Sequence, residues 1–125
     1  MKKYDLEVKI NVTLTDEDID DIMCTALEGG ISYWCCKAEV VGDYLGEYAS
    51  DQISRGGALL LHDAEEDEVY ELTLEKLIKG FELWVAGGYD TYGAVCEGVV
   101  DTGEIDAEKA DQICQLALFG EIIFG

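Results

Sequence analysis

Closely spaced carboxylates are the side chains of this chain whose spacing indicates chemistry. Asp16 and Asp20 are four residues apart, and so are Glu17 and Asp21. On a helix, side chains at that spacing lie about 5–6 Å apart on one face. Phosphates along a nucleic-acid strand are spaced on a comparable scale, about 3.4 Å of axis per charge. Such a helix face would imitate a row of phosphates and bind arginine and lysine side chains.

The acidity extends to the whole chain. Among 125 residues, 28 are Asp or Glu and 8 are Lys or Arg, for a formal net charge of −20. Most of it falls in three blocks: residues 15–30 and 57–73 carry −6 each and residues 89–106 carry −5, whereas residues 1–14 sum to +1. The second block includes an acidic run made of Asp63, Glu65, Glu66, Asp67 and Glu68.

This charge balance limits the classes of partner. It opposes direct binding to nucleic acid or to an anionic membrane, because both favour Lys and Arg. It attracts cationic surfaces, and the commonest large ones in a cell are the nucleic-acid grooves of other proteins. Acidic helix caps and a solvated surface that serves solubility are the alternative interpretation of each block.

A second group of residues would suit a small ligand. Gly29 and Gly30 precede Tyr33 and Trp34, and a similar glycine pair precedes a second aromatic pair, Tyr89 and Tyr92. Glycines let the backbone approach a ligand closely, and the aromatic rings offer stacking faces. Together these residues would line a pocket for a nucleotide-like molecule, although core packing with a helix cap is the simpler explanation of them.

Metal and catalytic chemistry find little support in the sequence. The five cysteines include no C-x₂-C pair, so no zinc spacing is met. The only histidine, His62, has no identifiable nucleophile partner. We therefore expect no catalytic residue, no metal and no cofactor. The odd cysteine count, the lack of a signal-peptide apolar region and the lack of an 18-residue apolar run favour free, mostly buried thiols in a cytoplasm.

In the first half of the chain, the patterns predict a strand, a helix and a hairpin. Apolar residues alternate from Tyr4 to Leu14, which is typical of a half-buried strand. Thr15 then caps a helix over residues 16–28 that Gly29 and Gly30 end. Residues 31–41 are ambiguous but lean to strand from Lys37, and residues 48–55 form a short helix closed by a glycine pair. Residues 58–62 and 69–73 form a hairpin around the acidic run.

In the second half, two helices are predicted. Thr73 caps a helix with an apolar stripe of Leu74, Leu77, Ile78, Phe81 and Val85. An irregular segment over residues 89–103 precedes a last helix capped near Asp106 and ended by Gly120, and residues 122–124 add an edge strand. The sum is one α+β domain over residues 1–125, a small and mostly antiparallel sheet packed against about three helices. We expect the first two acidic blocks to share one contiguous surface.

Three segments resemble a group of small acidic phage and prophage proteins. They are residues 26–35 (ALEGGISYWC), residues 101–107 (DTGEIDA) and residues 117–122 (ALFGEI). The resemblance covers most of the chain and implies a phage-encoded accessory protein in a bacterial host cytoplasm. Small acidic phage proteins include inhibitors of host defence, among them anti-CRISPR proteins that occupy the DNA site of a Cas nuclease; that step is an analogy and transfers no binding residue.

These observations lead to two hypotheses. In the first, the chain is a non-enzymatic inhibitor that mimics nucleic acid and blocks the basic groove of a host defence protein such as a CRISPR–Cas effector. Its contacts would be Asp16, Glu17, Asp20, Asp21 and the acidic run. In the second, it sequesters a nucleotide-like ligand. The oligomeric state stays open.

Overall fold

The three predicted helices begin at their predicted caps in the computed structural model, which describes residues 1–6 and 9–125. Helix α1 spans Asp16–Thr25, α2 spans Leu74–Ala86 and α3 spans Ala107–Phe119. Thr15 and Asp18 each accept the other's backbone N–H, a reciprocal cap. Beyond Thr25 the helical backbone continues as a wider π turn, Ala26–Gly30, in which Gly29 is the residue with non-helical angles. The predicted end at the glycine pair therefore agrees with the structure, although the last turn is π rather than α. Gly120, with a φ of 73°, ends α3.

The sheet has three antiparallel strands in the order β1, β2, β3. They span Cys35–Val40, Ala58–Asp63 and Val69–Thr73, with Leu61 opposite both Ala38 and Tyr70. This confirms the predicted hairpin and resolves the ambiguous segment as a strand from Cys35. A separate ribbon of β4 (Val95–Cys96) and β5 (Val99–Val100) forms within the irregular segment. The α+β class is confirmed.

Two other elements depart from prediction. The short helix expected over residues 48–55 is a 3₁₀ turn, Ala49–Asp51, followed by further turns, and a second 3₁₀ turn spans Thr102–Glu104. The prediction of an edge strand at residues 122–124 is wrong. The backbone N–H groups of Ile123 and Phe124 instead donate hydrogen bonds to the side-chain amide oxygen of Gln115. A side chain therefore takes the place of a strand partner for the C-terminal tail.

The N-terminal strand is also wrong for the described residues. Tyr4, Leu6 and Ile10 are 76%, 79% and 59% exposed and belong to no strand. Val8, which the prediction included, lies outside the described residues. Thr13 makes one parallel bridge to Val99, its N–H donating to the Gly98 carbonyl at 2.8 Å. Because β5 has only two residues, it offers no partner for the residues before Thr13.

The core lies between the sheet and the helices, and α2 packs closely on α3. The buried side of α2 consists of Leu77, Gly80, Phe81 and Trp84. The predicted stripe is therefore wrong at Ile78, which is 41% exposed. A Cβ on Gly80 would lie 2.6 Å from the backbone nitrogen of Ala117 in α3, so the two helices touch at this glycine. Among the described residues, no helix has the length and apolarity to span a membrane.

Candidate partner-binding surface

The acidic loop between β2 and β3 is held in a fixed shape by its own first residue. Asp63 Oδ1 accepts the backbone N–H groups of Glu65 at 2.9 Å and Glu66 at 3.0 Å, and Oδ2 accepts the Tyr70 hydroxyl at 2.8 Å. The N–H groups of Glu66 and Glu65, with the Tyr70 hydroxyl, lower the pKa of Asp63 below its usual value. The hydrogen bond that the Tyr70 hydroxyl donates to Asp63 is also the main cause that raises the pKa of Tyr70 to about 12.

Asp63 is itself buried, so the predicted site residue that begins the run serves the loop rather than a partner. The four acids that follow are all exposed: Glu65, Glu66, Asp67 and Glu68. The loop is thus a preorganised tip that presents carboxylates to solvent.

The four predicted carboxylates of α1 divide into two kinds. Asp16 and Glu17 are exposed in the first turn, where they favour the helix dipole. Asp20 accepts the Ser54 hydroxyl at 2.5 Å and lies 3.9 Å from Arg55. Asp21 accepts the hydroxyl of Thr102 at 2.8 Å. The inner pair therefore contributes to tertiary structure as well as to surface charge.

The first and second acidic blocks lie near opposite ends of β2. Asp20 is tied to Ser54, in the turns that lead into β2, and Gln52 in those turns bonds the carbonyls of Val41 and Asp43 beyond the end of β1. Asp63 is the last residue of β2, and a six-residue strand spans about 20 Å. The two blocks therefore lie towards opposite ends of β2, which disagrees with the expectation that they share one contiguous surface.

The first block instead meets the third. The Asp21–Thr102 hydrogen bond joins α1 to the 3₁₀ turn Thr102–Glu104, which carries the exposed acids Asp101 and Glu104 at its two ends. Local sequence patterns do not indicate this pairing, because Asp21 and Thr102 are 81 positions apart in the chain. We call the surface formed by Asp16, Glu17, Asp21, Asp101 and Glu104 the α1 acidic face.

Few of these carboxylates meet a counter-charge. Within residues 1–6 and 9–125, Lys and Arg side chains form ion pairs only with Asp20, Asp51 and Glu82, at 3.6–4.0 Å. Glu39 adds a contact of 3.0 Å to the His62 ring, and this hydrogen bond lowers the pKa of Glu39. Among the described residues, therefore, no Lys or Arg forms an ion pair with a carboxylate of the loop tip or of the α1 acidic face. The Asp20–Arg55 contact lies beside the α1 acidic face.

Three of the four aromatic residues proposed for a ligand pocket contact α3, and they do so on two different sides of the helix. Tyr33 and Trp34 donate hydrogen bonds to Asp111, whereas Tyr92 lies under the Lys109 ammonium, 4.8 Å from the ring centroid. Residues two apart on a helix point about 200° apart. Trp34 is also buried and stacked on Phe124 at 4.9 Å, and Tyr89 packs beside Gly87. The two pairs therefore do not surround a common cavity.

A buried polar network in α3 was missed by sequence reasoning. Asp111 accepts Tyr33 Oη at 2.5 Å, Trp34 Nε1 at 2.7 Å and Gln115 Nε2 at 3.0 Å. Gln115, fully buried, also binds the backbone of Ile123 and Phe124. Burial, followed by the hydrogen bond to Asp111, raises the pKa of Tyr33 to about 12. The sequence does contain one signal of this network. Asp111 and Gln115 are polar residues four positions apart, and they lie among Ala110, Ile113 and Cys114 on the apolar side of the helix.

The cysteines and the grooves add no second site. All five cysteines are free; Cys35 and Cys114 are buried, whereas Cys36 and Cys96 are exposed, so the expectation of mostly buried thiols is only partly met. Within the described residues, no three His, Cys, Asp or Glu side chains are arranged to hold a metal. An open groove of about 470 Å³ lies between the end of α1 and the first 3₁₀ turn, Ala49–Asp51. It is lined by Cys24, Leu27, Glu28, Tyr48, Ala49 and Ser50.

Comparison of the chain with protein-family models, with curated proteins and with solved structures gave no match in any of the three.

Proposed function

We propose that this protein is a non-enzymatic inhibitor that presents carboxylates to the basic nucleic-acid groove of another protein. The observation that carries the proposal is the pair of rigid, largely uncompensated acidic surfaces: the loop tip, fixed by Asp63, and the α1 acidic face, fixed by the Asp21–Thr102 bond. A backbone that is already held in place loses little entropy on binding, so these surfaces suit tight recognition better than a flexible acidic segment.

The two acidic surfaces lie towards opposite ends of β2. Asp20 of α1 is bonded to Ser54 in the turns that precede the strand, and the loop tip follows the last residue of the strand. Double-stranded DNA carries its phosphates in two rows on either side of each groove, and a protein that binds DNA places cations to match. Two separated carboxylate clusters would engage two such rows of cations.

The class of target comes from the resemblance to small acidic phage proteins. On that basis the partner is a basic nucleic-acid-binding protein of bacterial host defence, such as a CRISPR–Cas effector, met in the host cytoplasm. Desolvated charge pairs across the interface would give fast and salt-sensitive association.

A displacement assay tests the proposal. A purified Cas nuclease with its guide RNA is bound to fluorescently labelled target DNA, and release of the DNA is followed by fluorescence anisotropy as this protein is added. Two variants each remove four charges. One changes the loop tip (E65Q/E66Q/D67N/E68Q), and the other changes the α1 acidic face (D16N/E17Q/D21N/E104Q). A matched control, E75Q/E82Q/E108Q/E121Q, removes four exposed carboxylates elsewhere.

We expect the wild-type protein and the control to displace DNA equally, and each site variant to weaken displacement by about tenfold or more. If the control weakens displacement as much as the site variants do, total charge rather than a defined surface governs binding. If the wild-type protein displaces no DNA, the proposed target class is wrong.

A further inference from the structure

The first 12 residues, here called the N-terminal segment, differ from the rest of the molecule in charge. Lys2, Lys3 and Lys9 make residues 1–14 net +1, which leaves −21 for residues 15–125. Of the eight basic residues, three therefore fall in a segment that makes up a tenth of the chain. The segment is complementary in charge to the body of its own protein.

The segment also carries apolar side chains that the body does not cover. Tyr4 and Leu6 are more than three-quarters exposed, and Ile10 is 59% exposed. Their alternation with polar residues is that of a strand with one apolar face. Within the described residues, Val12 at the end of the segment packs against the core of its own molecule, and the one strand bridge nearby joins Thr13 to Val99 of the two-residue strand β5. The exposed residues Tyr4, Leu6 and Ile10 have no strand partner there.

A suitable partner is strand β1, which pairs with the side of β2 opposite to β3. Strand β1 is an edge strand, and no strand of the described residues pairs with its outer side. Its core-facing residues, Ala38 and Val40, are only half-buried, whereas Leu72 of the other edge strand, β3, is fully buried. An additional strand beside β1 would therefore bury apolar surface that the fold leaves open.

The surface beyond β1 is both apolar and acidic. Val41, Tyr44, Leu45 and Tyr48 are 43%, 61%, 50% and 62% exposed, and we call them the Val41–Tyr48 patch. Exposed acids lie on the same stretch, namely Glu39, Asp43 and Glu47. Apolar side chains with interspersed lysines would match this surface in both respects.

We propose that the N-terminal segment of one copy adds as an outer strand to β1 of a second copy, in a reciprocal exchange that forms a dimer. Backbone hydrogen bonds along β1 would set the alignment. The apolar face of the segment, with Tyr4, Leu6 and Ile10, covers Ala38, Val40 and the Val41–Tyr48 patch. The lysines face Glu39, Asp43 and Glu47.

The dimer offers enough contact area for stability. Each aromatic side chain buries about 150–250 Å² when covered, and Tyr4, Tyr44 and Tyr48 would all be covered. They supply a large share of the roughly 800 Å² per partner that a stable interface needs. The interface leaves the loop tip exposed, because that loop lies beyond the other end of β2.

Molar mass measured by light scattering over a concentration series tests the dimer. The wild-type protein is expected to show the mass of two copies. L6E/I10E is expected to raise the dissociation constant by roughly tenfold for each apolar side chain lost, with an unchanged circular dichroism spectrum. V69E, which places one added carboxylate on the 46%-exposed Val69 of the β3 edge, is the charge-matched control for L6E alone and should leave the dimer intact.

A charge-matched pair tests the role of the lysines. K3E/K9E should weaken the dimer, whereas K76E/K79E on α2 makes the same change in net charge and should not. A wild-type protein of single-copy mass at every concentration would overturn the proposal. So would a dimer that L6E/I10E leaves intact.

Cross-linking identifies the edge that is used. Cys36 is an exposed native thiol at the start of β1. In a C96S background, cysteines placed in turn at Lys3, Asp5 and Lys9 should form an intermolecular disulfide with Cys36 from at least one position, and C36S should abolish it. Cross-linking to a cysteine at Val69 instead would assign the segment to β3 and contradict the use of β1.

Discussion

Asp111 shows at the scale of one residue how a strongly acidic chain uses a carboxylate inside its core. It accepts hydrogen bonds from Tyr33, Trp34 and Gln115, so the buried charge is satisfied on both oxygens. Through Gln115 the same network reaches the C-terminal tail, whose Phe124 ring stacks on Trp34. One side chain therefore connects three parts of the chain that are distant in sequence.

Replacement of Asp111 by alanine should lower the free energy of unfolding by about 3 kcal/mol, because it leaves the buried indole N–H of Trp34 without an acceptor and removes the acceptor of the Tyr33 hydroxyl. Urea denaturation at neutral pH measures this. E108A, one turn earlier on the exposed side of α3, should change stability by less than about 0.5 kcal/mol. Equal effects from the two variants would contradict the importance of the network.

The conservative D111N variant gives a second measurement of the same interaction. It should lower the pKa of Tyr33 from about 12 while that of Tyr70, set by Asp63, stays at about 12. Ultraviolet titration of the tyrosines resolves the two. A tyrosine whose pKa is raised by folding stabilises the protein below about pH 10, its unfolded pKa, and that stabilisation is lost as the pH rises through about 12.

At the scale of the element, the contact between α2 and α3 depends on Gly80. In an exposed helix, alanine is more favourable than glycine by about 1 kcal/mol. At Gly80 the added methyl would lie 2.6–2.7 Å from the backbone and side chain of Ala117, so one helix must move. We expect G80A to destabilise the protein by about 1–3 kcal/mol. K79A, exposed on the same helix, is the control, and a stabilised G80A would show that the helices separate without cost.

The elements that sequence predicted correctly are those that local interactions specify. Thr15, Thr73 and Asp106 cap their helices with their own side chains, and Gly120 ends α3 through its own backbone conformation. The N-terminal strand and the strand at residues 122–124 were wrong because a strand needs a partner that its own residues do not encode. Where the structure describes it, the first has only Thr13 bridged to Val99, and the second is bound by Gln115.

The candidate partner-binding surface was likewise predicted where local sequence determines it and missed where it depends on distant contacts. The exposed acids of the loop tip were predicted, because a charged run between two strands must lie in a turn. The pairing of Asp21 with Thr102 and the inward role of Asp63 depend on tertiary contacts, which a pattern of charges does not specify.

At the scale of the whole molecule, a net charge of −20 costs stability through self-repulsion, and salt screens it. The loop tip concentrates that cost, since Glu65, Glu66, Asp67 and Glu68 lie on consecutive exposed positions. Their side chains make no hydrogen bond within the described residues, and Asp63 holds the loop through backbone N–H groups that a Gln or Asn substitution keeps.

The variant E65Q/E66Q/D67N/E68Q should therefore be more stable than the wild-type protein at low ionic strength, by about 0.5–1 kcal/mol, since each like-charge neighbour costs a few tenths of a kcal/mol. Because the Debye length falls to about 3 Å at 1 M salt, the difference should nearly vanish there. Thermal unfolding at low and high salt measures both quantities. A loop selected for binding is expected to carry this cost, and a variant less stable than wild type at low salt would show instead that the four carboxylates support the fold.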